Sequence, residues 1–266
     1  MKNRRAGDSP DDRSVTIDAF PESAFRHLGR SAIVCIDIIS TTTTLVTSVA
    51  QGRHTVVASG LDRAYALAER LEAPVLAGEV SGKPPSGFSL ADSPTHVEAH
   101  PDPTRPMVLL SDPGTRLISN TRGCPAVYVA SYRNMNATAQ HVTAHHTSVA
   151  LLGAGANGVF ACEDQMAAAW MAAALVEAGF AIDDMRTSEM IERWNGVDVS
   201  LTAWGNSAAA LRKGAHSGDL EYIISHVDDL DLVCSYRSEV VAPWSESSGG
   251  RILSWPESSK NLGASI

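Results

Sequence analysis

Residues 32–48 read AIVCIDIISTTTTLVTS and contain the most informative pattern in the chain. From Ala32 to Ile39 the residues are almost all apolar, and the single charge among them is Asp37. A short apolar run rich in β-branched residues predicts a fully buried strand, of the kind found in parallel sheets. Ser40 and four threonines follow, and apolar residues then recur at helical spacing. The stretch therefore predicts a strand, a hydroxyl-rich turn and a helix.

The predicted turn after Asp37 has two interpretations. A helix N-terminus presents unpaired amides and the positive end of the helix dipole, which favours a bound anion. A carboxylate at the strand tip is suited to hold a divalent metal ion for that anion. Alternatively, a threonine caps the helix and Asp37 only accepts backbone hydrogen bonds. The local pattern leaves both interpretations open.

Strand and helix patterns alternate from residue 32 to residue 178. This alternation predicts an α/β fold with a mostly parallel sheet and helices on both faces. Beyond Gly179 the apolar spacing is mostly helical. Extra C-terminal helices are predicted over about 184–194, 198–213 and 219–227.

The composition is that of an ordinary globular protein. The chain has 266 residues, of which 44% are hydrophobic and 19% charged, so it can bury a substantial core. We expect a single α/β domain at residues 14–244. The flanking segments, a disordered tail at residues 1–13 and a C-terminal tail at residues 245–266, are expected to lie outside it.

Charge and cysteine usage narrow the class of partner. A net charge of −9 argues against nucleic-acid binding, which needs a basic surface. The sequence has no apolar run long enough for a membrane span and no signal-peptide pattern, so we expect no membrane contact and a cytoplasmic location. Four widely spaced cysteines without zinc-like spacing predict free thiols. A small-molecule substrate is the expected partner, and an anionic one would need a local arginine or metal ion.

Polar residues recur where the predicted strands end. Ligands of open α/β sheets bind at the carboxyl ends of the strands, so this recurrence is more informative than any single residue. Acids at a helix start also have a simpler explanation, since the first turn of a helix favours negative charge. The residues at predicted strand ends are Asp37, Glu79, Asp112, Asn134, Glu163 and Asp164.

Two local motifs are weak evidence for other functions. Residues 153–158 read GAGANG and fit the dinucleotide pattern G-x-G-x-x-G, but they come late in the predicted sheet, and no later strand ends in the expected acid. A glycine-lined turn near a phosphate or a metal ion is the better interpretation. Asp37 is a poor candidate for an aspartyl-phosphate nucleophile because residue 39 is isoleucine instead of a second aspartate.

Taken in order, several short motifs resemble the 2-phosphosulfolactate phosphatase family over about residues 32–243. No single motif is decisive, but the ordered set is fairly specific. The motifs are Ile36-Asp37 with Thr42-Thr43-Thr44, Gly78-Glu79, Gly87-Phe88-Ser89-Leu90 with Asp92-Ser93-Pro94, Gly114-Thr115-Arg116, Ser131 with Asn134, and Ala154-Gly155 with Gly158, Phe160 and Glu163-Asp164.

The resemblance implies a Mg²⁺-dependent α/β enzyme that hydrolyses phosphate monoesters of small hydroxy acids. It implies catalytic roles for Asp37, Glu79, Glu163 and Asp164, with Asp37, Glu79 and Asp164 as metal ligands. Mg²⁺ commonly binds one or two carboxylates together with water and substrate phosphate, which agrees with acids at strand tips. The residues expected to contact substrate are Thr42, Thr43, Thr44, Gly114, Thr115, Arg116 and Asn134.

The chain also departs from the family pattern in ways that concern the substrate. Ser40 and Val80 stand where the family usually has arginine, and the cysteine of the family's C-A-G turn is Gly153 here. Arginine is the best planar clamp for phosphate or sulfonate, so these two replacements weaken anion binding. Lys83, Arg116 and Arg133 are candidates to compensate. The substrate is therefore expected to differ from phosphosulfolactate.

Three hypotheses follow. The leading one is a Mg²⁺-dependent hydrolase that removes phosphate from a small phosphorylated metabolite. The second is a diverged family member that uses the same carboxylates for other acid–base chemistry, as a cyclase, a lyase or another hydrolase. The third is a non-catalytic binding subunit. The alanine-rich helix predicted at about 163–178 permits a homodimer, although packing within one chain explains it equally well.

Overall fold

The strand predicted from residues 32–39 lies in the interior of a large sheet. The computed structural model describes residues 13–246 except 125, 157, 215 and 217. The predicted tails therefore lie almost wholly outside the described residues. The strands are β1 Ser14–Ala19, β2 Ala32–Ile36, β3 Thr55–Val57, β4 Val75–Glu79, β5 Met107–Ser111, β6 Val127–Ala130, β7 Ser148–Gly153, β8 Ala181–Ile182, β9 Cys234–Arg237 and β10 Val240–Pro243.

These strands form one sheet within the described chain, in the order β4-β5-β3-β10-β9-β6-β2-β7-β1-β8. One parallel group is β4-β5-β3, and the other is β6-β2-β7-β1-β8. The antiparallel hairpin β9–β10 joins them, since β9 pairs with β6 and β10 pairs with β3. Three successive antiparallel pairings mean that the two parallel groups run in opposite senses. The predicted mostly parallel sheet is confirmed.

The helices connect and cover these strands. Short 3₁₀ helices occur at Pro21–Ser23, Tyr132–Asn134 and Val199–Trp204. None of the described helices has both the length and the apolar character needed to cross a membrane. The α-helices are α1 Ala24–His27, α2 Thr41–Ala50, α3 Leu61–Ala68, α4 Pro94–Glu98, α5 Gly114–Asn120, α6 Met135–His145, α7 Cys162–Glu177, α8 Met185–Trp194, α9 Asn206–Lys213 and α10 Gly218–Ser225.

Strand β2 shows why helices cover both faces of the sheet. All five of its residues are buried, and successive side chains point to opposite faces. Val34 and Ile36 pack in a cluster with residues of α6 and α7, while Ile33 and Cys35 pack in a second cluster with residues of α2 and α5. Burying each large aliphatic side chain contributes about 1.5–3 kcal/mol, so both faces need helices. The predicted helices on both faces are confirmed.

Three local predictions need correction. The predicted helix over 198–213 is two pieces, because Gly205 adopts an extended conformation between Val199–Trp204 and α9. The weak alternation of residues 14–20 predicts an edge strand, but β1 is second from the edge, since β8 pairs with its first two residues. The second strand of the hairpin, β10, was not predicted, because four residues carry little periodic signal. All four cysteines are free, as expected.

Candidate functional site

The turn between β2 and α2 is held by its own threonines. The hydroxyl of Thr42 accepts a hydrogen bond from the amide of Asp37 at 3.0 Å and donates to the Asp37 carbonyl oxygen at 2.8 Å. The hydroxyl of Thr43 donates to the Ile38 carbonyl oxygen at 2.8 Å. Both predicted substrate-binding hydroxyls are therefore used by the backbone, and they fix the turn that carries Asp37.

Thr41 and Thr44 lie three residues apart and so share a face of α2. The hydroxyl of Thr41 donates to Oδ2 of Asp92 at 2.7 Å. Thr44 is fully buried, and its hydroxyl forms no hydrogen bond with the described residues. This face of α2, instead of the Thr42–Thr43 hydroxyls, is turned toward acidic side chains.

Asp164 connects two turns of the site. Its Oδ1 accepts a hydrogen bond from the Ile38 amide at 2.9 Å, and its Oδ2 accepts one from the Gly155 amide at 3.0 Å. Gly155 has a φ of +67°, and a Cβ there would lie 2.8 Å from the Val159 carbonyl oxygen, so only glycine fits. The glycine-rich turn thus binds a carboxylate of its own chain. Burial, and then the charge of Glu163, raise the pKa of Asp164 to about 8.

Asp37 lies beside Asp164 and is almost fully buried, with 4% of its surface exposed. Gly114, at the start of α5, packs against it, and a Cβ on Gly114 would overlap Oδ2 of Asp37 and the side chain of Thr41. Burial raises the pKa of Asp37 well above its usual value, and the charges of Asp164 and Asp92 raise it further. Without a cation, two carboxyl groups in such a position do not both ionise.

Glu163 adds a third acid from the first turn of α7. It is 1% exposed, and its charge also raises the pKa of Asp37. Its Oε2 accepts a hydrogen bond from the Cys162 thiol at 3.2 Å, while its Oε1 has no partner among the described residues. An unpartnered buried carboxylate oxygen is costly, so this atom is suited to accept a proton or a water molecule.

Asp92 extends the acidic region to the other side of Thr41. Its Oδ1 is buried without a partner in the described chain, and Ser40 donates to its carbonyl oxygen at 2.8 Å. Burial raises the pKa of Asp92 and the charge of Asp219 raises it further, whereas the hydroxyls of Thr44, Thr41 and Ser111, which lie near its carboxylate, lower it. The sequence motif Asp92-Ser93-Pro94 contains this residue, but Asp92 does not end a predicted strand, so sequence analysis assigned it no role in the site.

Asp219 was missed by sequence reasoning. It lies in the first turn of α10, is fully buried, and accepts hydrogen bonds on Oδ1 from the Ser93 hydroxyl at 2.8 Å and from the amide and hydroxyl of Thr95. Its Oδ2 has no partner among the described residues. More than a hundred residues separate α10 from Ser93, and no local pattern marks the connection.

Glu79 lies apart from the Asp37–Asp164 pair. It is the exposed last residue of β4, and its pKa is raised by desolvation and by the charge of Asp92, against an opposing effect of His216. The preceding Gly78 is needed for strand pairing, because a Cβ there would overlap the Leu110 carbonyl group. The structure therefore places Glu79 on the Asp92 side of the site.

Two other residues that were predicted to contact substrate, Thr115 and Asn134, hydrogen-bond to backbone groups through their side chains. The hydroxyl of Thr115 accepts from the Ser111 amide at 3.1 Å and donates to the Ser111 carbonyl oxygen at 2.9 Å. Oδ1 of Asn134 accepts from the Ser131 amide at 2.9 Å, and its Nδ2 donates to two carbonyl oxygens at 3.2 and 3.1 Å. Both residues shape turns, and no contact brings either of them to Asp37.

Arg116 lines a cavity of about 500 Å³ next to the acids. Arg26, on the same wall, pairs with Asp18 at 2.6 Å. Arg116 is half-exposed and pairs with Glu22 and Asp112, each at 2.8 Å. Pro113 and Ala154 line the cavity, and the residues that follow them, Gly114 and Gly155, contact Asp37 and Asp164. The cavity therefore adjoins the Asp37–Asp164 pair. Its lining consists of Ala19, Phe20, Pro21, Glu22, Ser23, Arg26, Asp112, Pro113, Arg116, Ala154 and Gly158.

The acids do not form a complete metal site. Within the described part of the chain, no three histidine, cysteine or acidic side chains are grouped so that they could hold a metal ion. Of the three ligands predicted from the sequence, Asp37 and Asp164 are neighbours and Glu79 is not. An ion at this position would have two protein carboxylates, and water or substrate would have to complete its coordination.

Comparison with known proteins places these residues in a family context. A family model described as 2-phosphosulpholactate phosphatase matches residues 18–239.

 All six acids of the site, Asp37, Glu79, Asp92, Glu163, Asp164 and Asp219, lie inside this match.

Curated relatives agree with the family model over most of their length. A probable 2-phosphosulfolactate phosphatase of Parasynechococcus marenigrum (strain WH8102) is 29% identical over 227 residues, which cover 82% of this chain and 90% of the relative. A protein of the same description from Deinococcus radiodurans is 31% identical over 216 residues, 78% of this chain and 87% of the relative. One from Caldicellulosiruptor saccharolyticus is 22% identical and covers 85% of this chain and 98% of the relative.

Proposed function

The chain belongs to the 2-phosphosulpholactate phosphatase family, and we propose that it is a phosphoric monoester hydrolase acting on a small phosphorylated metabolite other than phosphosulfolactate. The observation that carries this proposal is the convergence of Asp37, Glu163 and Asp164 at one buried point beside the turn before α2. Phosphoryl transfer depends mainly on positioning and on neutralising charge, and a buried acidic pair that requires a cation is suited to both.

A divalent cation fits the Asp37–Asp164 pair, and we take Mg²⁺ as the expected ion. Carboxylate oxygens are the donors that this ion prefers, and the charge of Asp164 raises the pKa of Asp37 until a cation neutralises the pair. The two amides that bind Asp164 orient it as a ligand, as hydrogen bonds to metal-binding carboxylates commonly do. When bound, the ion would neutralise phosphate charge and orient an attacking water molecule.

The chain's own residues then have separate roles in this proposal. Oε1 of Glu163 accepts the proton of the attacking water, because it is a buried carboxylate oxygen without another partner in the described chain and its residue lies close enough to raise the pKa of Asp37. Gly114 leaves room beside Asp37 for the phosphoryl group. Arg116 lines the adjoining cavity. Its guanidinium can bind the phosphate when the ion pairs with Glu22 and Asp112 break. Asp164 also acts as a positioning residue, since it fixes the backbone of the Asp37 turn.

The proposal that the substrate differs from phosphosulfolactate rests on the two family arginines that are absent. Ser40 is neutral and donates to the Asp92 backbone, and Val80 is exposed next to Glu79. Arg133, a candidate to compensate, is buried and paired with Asp229 at 2.6 Å, so it is committed elsewhere. A second strongly acidic group on the substrate would therefore meet carboxylates where the family usually supplies arginine.

Phosphate release from a panel of small monoesters tests this function. We expect release that needs Mg²⁺, is lost in EDTA, and falls by at least about a hundredfold in Asp37→Asn, because the substitution removes a charge that the ion requires. Asp62→Asn is the matched control, since Asp62 is an exposed acid in the first turn of α3.

Undiminished release in EDTA, or an active Asp37→Asn variant, would contradict the assigned roles. Absence of release from every monoester tried with Mg²⁺ would reject the phosphatase and favour other acid–base chemistry by the same carboxylates. Efficient release from phosphosulfolactate would reject the proposed change of substrate.

A further inference from the structure

A second group of acids lies across Thr41 from the Asp37–Asp164 pair. We name Glu79, Asp92 and Asp219 the acidic recess. Asp92 connects the three acids: it lies beside Ser93, whose hydroxyl binds Asp219, its charge raises the pKa of Glu79, and the charge of Asp219 raises the pKa of Asp92. Thr41 connects the recess to the site, since its hydroxyl binds Asp92 and its side chain lies with Asp37 against Gly114.

The recess contains buried polar atoms that lack partners. Thr44 and Asp219 are both fully buried, and neither Oγ1 of Thr44 nor Oδ2 of Asp219 has a hydrogen-bond partner in the described chain. Oδ1 of Asp92 is the third such atom. Thr44 is an independent indication, because it is not an acid and shares the helix face by which Thr41 reaches Asp92. Unpartnered buried polar atoms point to a missing donor.

Within the described residues, no lysine or arginine forms an ion pair with the recess, and His216 is a group whose positive charge acts on Glu79. The ion pairs of the structure involve other acids, namely Asp18, Glu22, Asp112, Asp229 and Glu239. Two neutral residues, Ser40 and Val80, adjoin the recess. Ser40 donates to the Asp92 backbone, and Val80 follows Glu79. The charge at this end of the site is therefore complementary to a cation.

We infer that the acidic recess binds a protonated amine of the substrate, which would then be the phosphate monoester of a small amino alcohol. An ammonium group has three donors and no acceptor, and the recess offers three acceptor atoms without partners. Hydrogen bonds between an ammonium and carboxylates are charge-assisted and strong. This inference rests on the proposed function for the phosphate end of the substrate, while the recess itself is defined by separate residues.

Three matched phosphates test the inference. All three compounds carry the same phosphate group and differ at the other end. O-phosphoethanolamine ends in a cation, ethyl phosphate in a neutral methyl group and phosphoglycolate in an anion. With Mg²⁺, we expect kcat/KM for phosphoethanolamine to exceed that for ethyl phosphate by about tenfold or more, with phosphoglycolate the poorest. The same three compounds are compared by their effect on Tm, which does not depend on turnover.

Asp92→Asn and Asp219→Asn are the informative variants. Each should lower kcat/KM for phosphoethanolamine by about tenfold or more. Asp219→Asn, whose hydrogen bonds are to Ser93 and Thr95, should leave ethyl phosphate within about threefold, whereas Asp92→Asn should affect ethyl phosphate less than phosphoethanolamine, since the charge of Asp92 also reaches Asp37. Asparagine at residue 219 keeps the oxygen that binds Ser93 and Thr95. Glu221→Gln is the matched control, because Glu221 is an exposed acid in the same turn of α10.

The outcomes separate the two proposals. Hydrolysis of ethyl phosphate or phosphoglycolate in preference to phosphoethanolamine would overturn the ammonium site and leave the phosphatase standing. A Tm increase with phosphoethanolamine alone, lost in Asp92→Asn but with no hydrolysis, would support the recess and reject the phosphatase. Equal losses for all substrates in the variants, or no preference in either measurement, would show that the recess is only structural.

Discussion

At the scale of single residues, Gly114 limits what can stand beside Asp37. A Cβ at this position would overlap Oδ2 of Asp37 and the side chain of Thr41. We therefore expect Gly114→Ala to displace Asp37, to lower kcat/KM by about tenfold or more and to destabilise the fold by about 1–3 kcal/mol. Phosphate release and urea denaturation measure the two effects.

Gly218→Ala is the control for this substitution. Gly218 also begins a helix, and a Cβ there would meet nothing within 4 Å. An active Gly114→Ala variant of normal stability would show that the contact around Asp37 is loose, and it would remove Gly114 from the site.

Sequence reasoning selected Asp37, Gly114, Glu163 and Asp164, which the structure brings together. It expected Thr42 and Thr43 to face the substrate, because a run of hydroxyls does not reveal how the helix is rotated. The structure turns those two hydroxyls onto backbone oxygens. Asp219 had no signal at all, since its partners are Ser93 and Thr95 far along the chain. The roles of the predicted site residues remain predictions.

At the scale of secondary-structure elements, Arg133 connects its own 3₁₀ helix, Tyr132–Asn134, to α2 and α10. Its guanidinium binds Asp229 after α10 at 2.6 and 3.1 Å, Thr47 of α2 at 3.0 Å and Tyr222 of α10 at 2.6 Å. Because removing one partner of a buried pair leaves the others unsatisfied, we expect Arg133→Met to destabilise the protein by about 3 kcal/mol. Denaturant unfolding measures this loss.

Arg133→Met should nevertheless keep the wild-type ranking of substrates, because Arg133 is committed to structure. Arg122→Met is the control, since Arg122 pairs with Glu239 from a largely exposed position. A selective rise in KM without loss of stability would instead assign Arg133 to substrate binding, as one alternative from the sequence had it.

The elements themselves were predictable to different degrees. The runs that became β2 and α7 are long enough to show their own pattern: α7 was predicted within a residue of its bounds, and β2 was predicted from its first residue but three residues too long at its end. For the hairpin β9–β10, the apolar spacing predicts one strand, at about 232–236, and misses β10, because the hairpin is defined by pairing with β6 and β3 from distant parts of the chain. Long-range pairing leaves no local pattern.

At the scale of the whole molecule, the acidic pair should make stability depend on pH and metal. The folded protein keeps the Asp164 proton to a pKa of about 8, whereas the unfolded chain releases it near 3.8. In that window the unfolded state binds fewer protons, so stability falls as pH rises. His141 and His146 have the opposite effect, since burial lowers their pKa from 6.5 to about 4 and stability rises through that range.

Above the ordinary histidine pKa of 6.5, the carboxyl effect should therefore dominate. We expect the free energy of unfolding in EDTA to fall by about 1–2 kcal/mol between that pH and pH ~8. Mg²⁺ should flatten this dependence and raise stability, because an ion that binds only the folded state displaces the proton. Urea denaturation at several pH values measures both effects.

Asp164→Asn should flatten the same slope without Mg²⁺, whereas Asp183→Asn, at an exposed surface acid, should leave it unchanged. A stability that rises with pH over this interval in EDTA, or a slope that Mg²⁺ does not alter, would contradict a shared proton at the Asp37–Asp164 pair.

Helix α10 carries Asp219 to the loop at Ser93 and Thr95, whereas Asp37 and Asp164 belong to the sheet and its connecting turns. If the acidic recess binds the substrate amine as inferred, one determinant of substrate choice resides in α10, apart from the stretches that carry Asp37 and Asp164. Exchanging the α10 segment between relatives is then a route to new selectivity that leaves the reacting centre untouched.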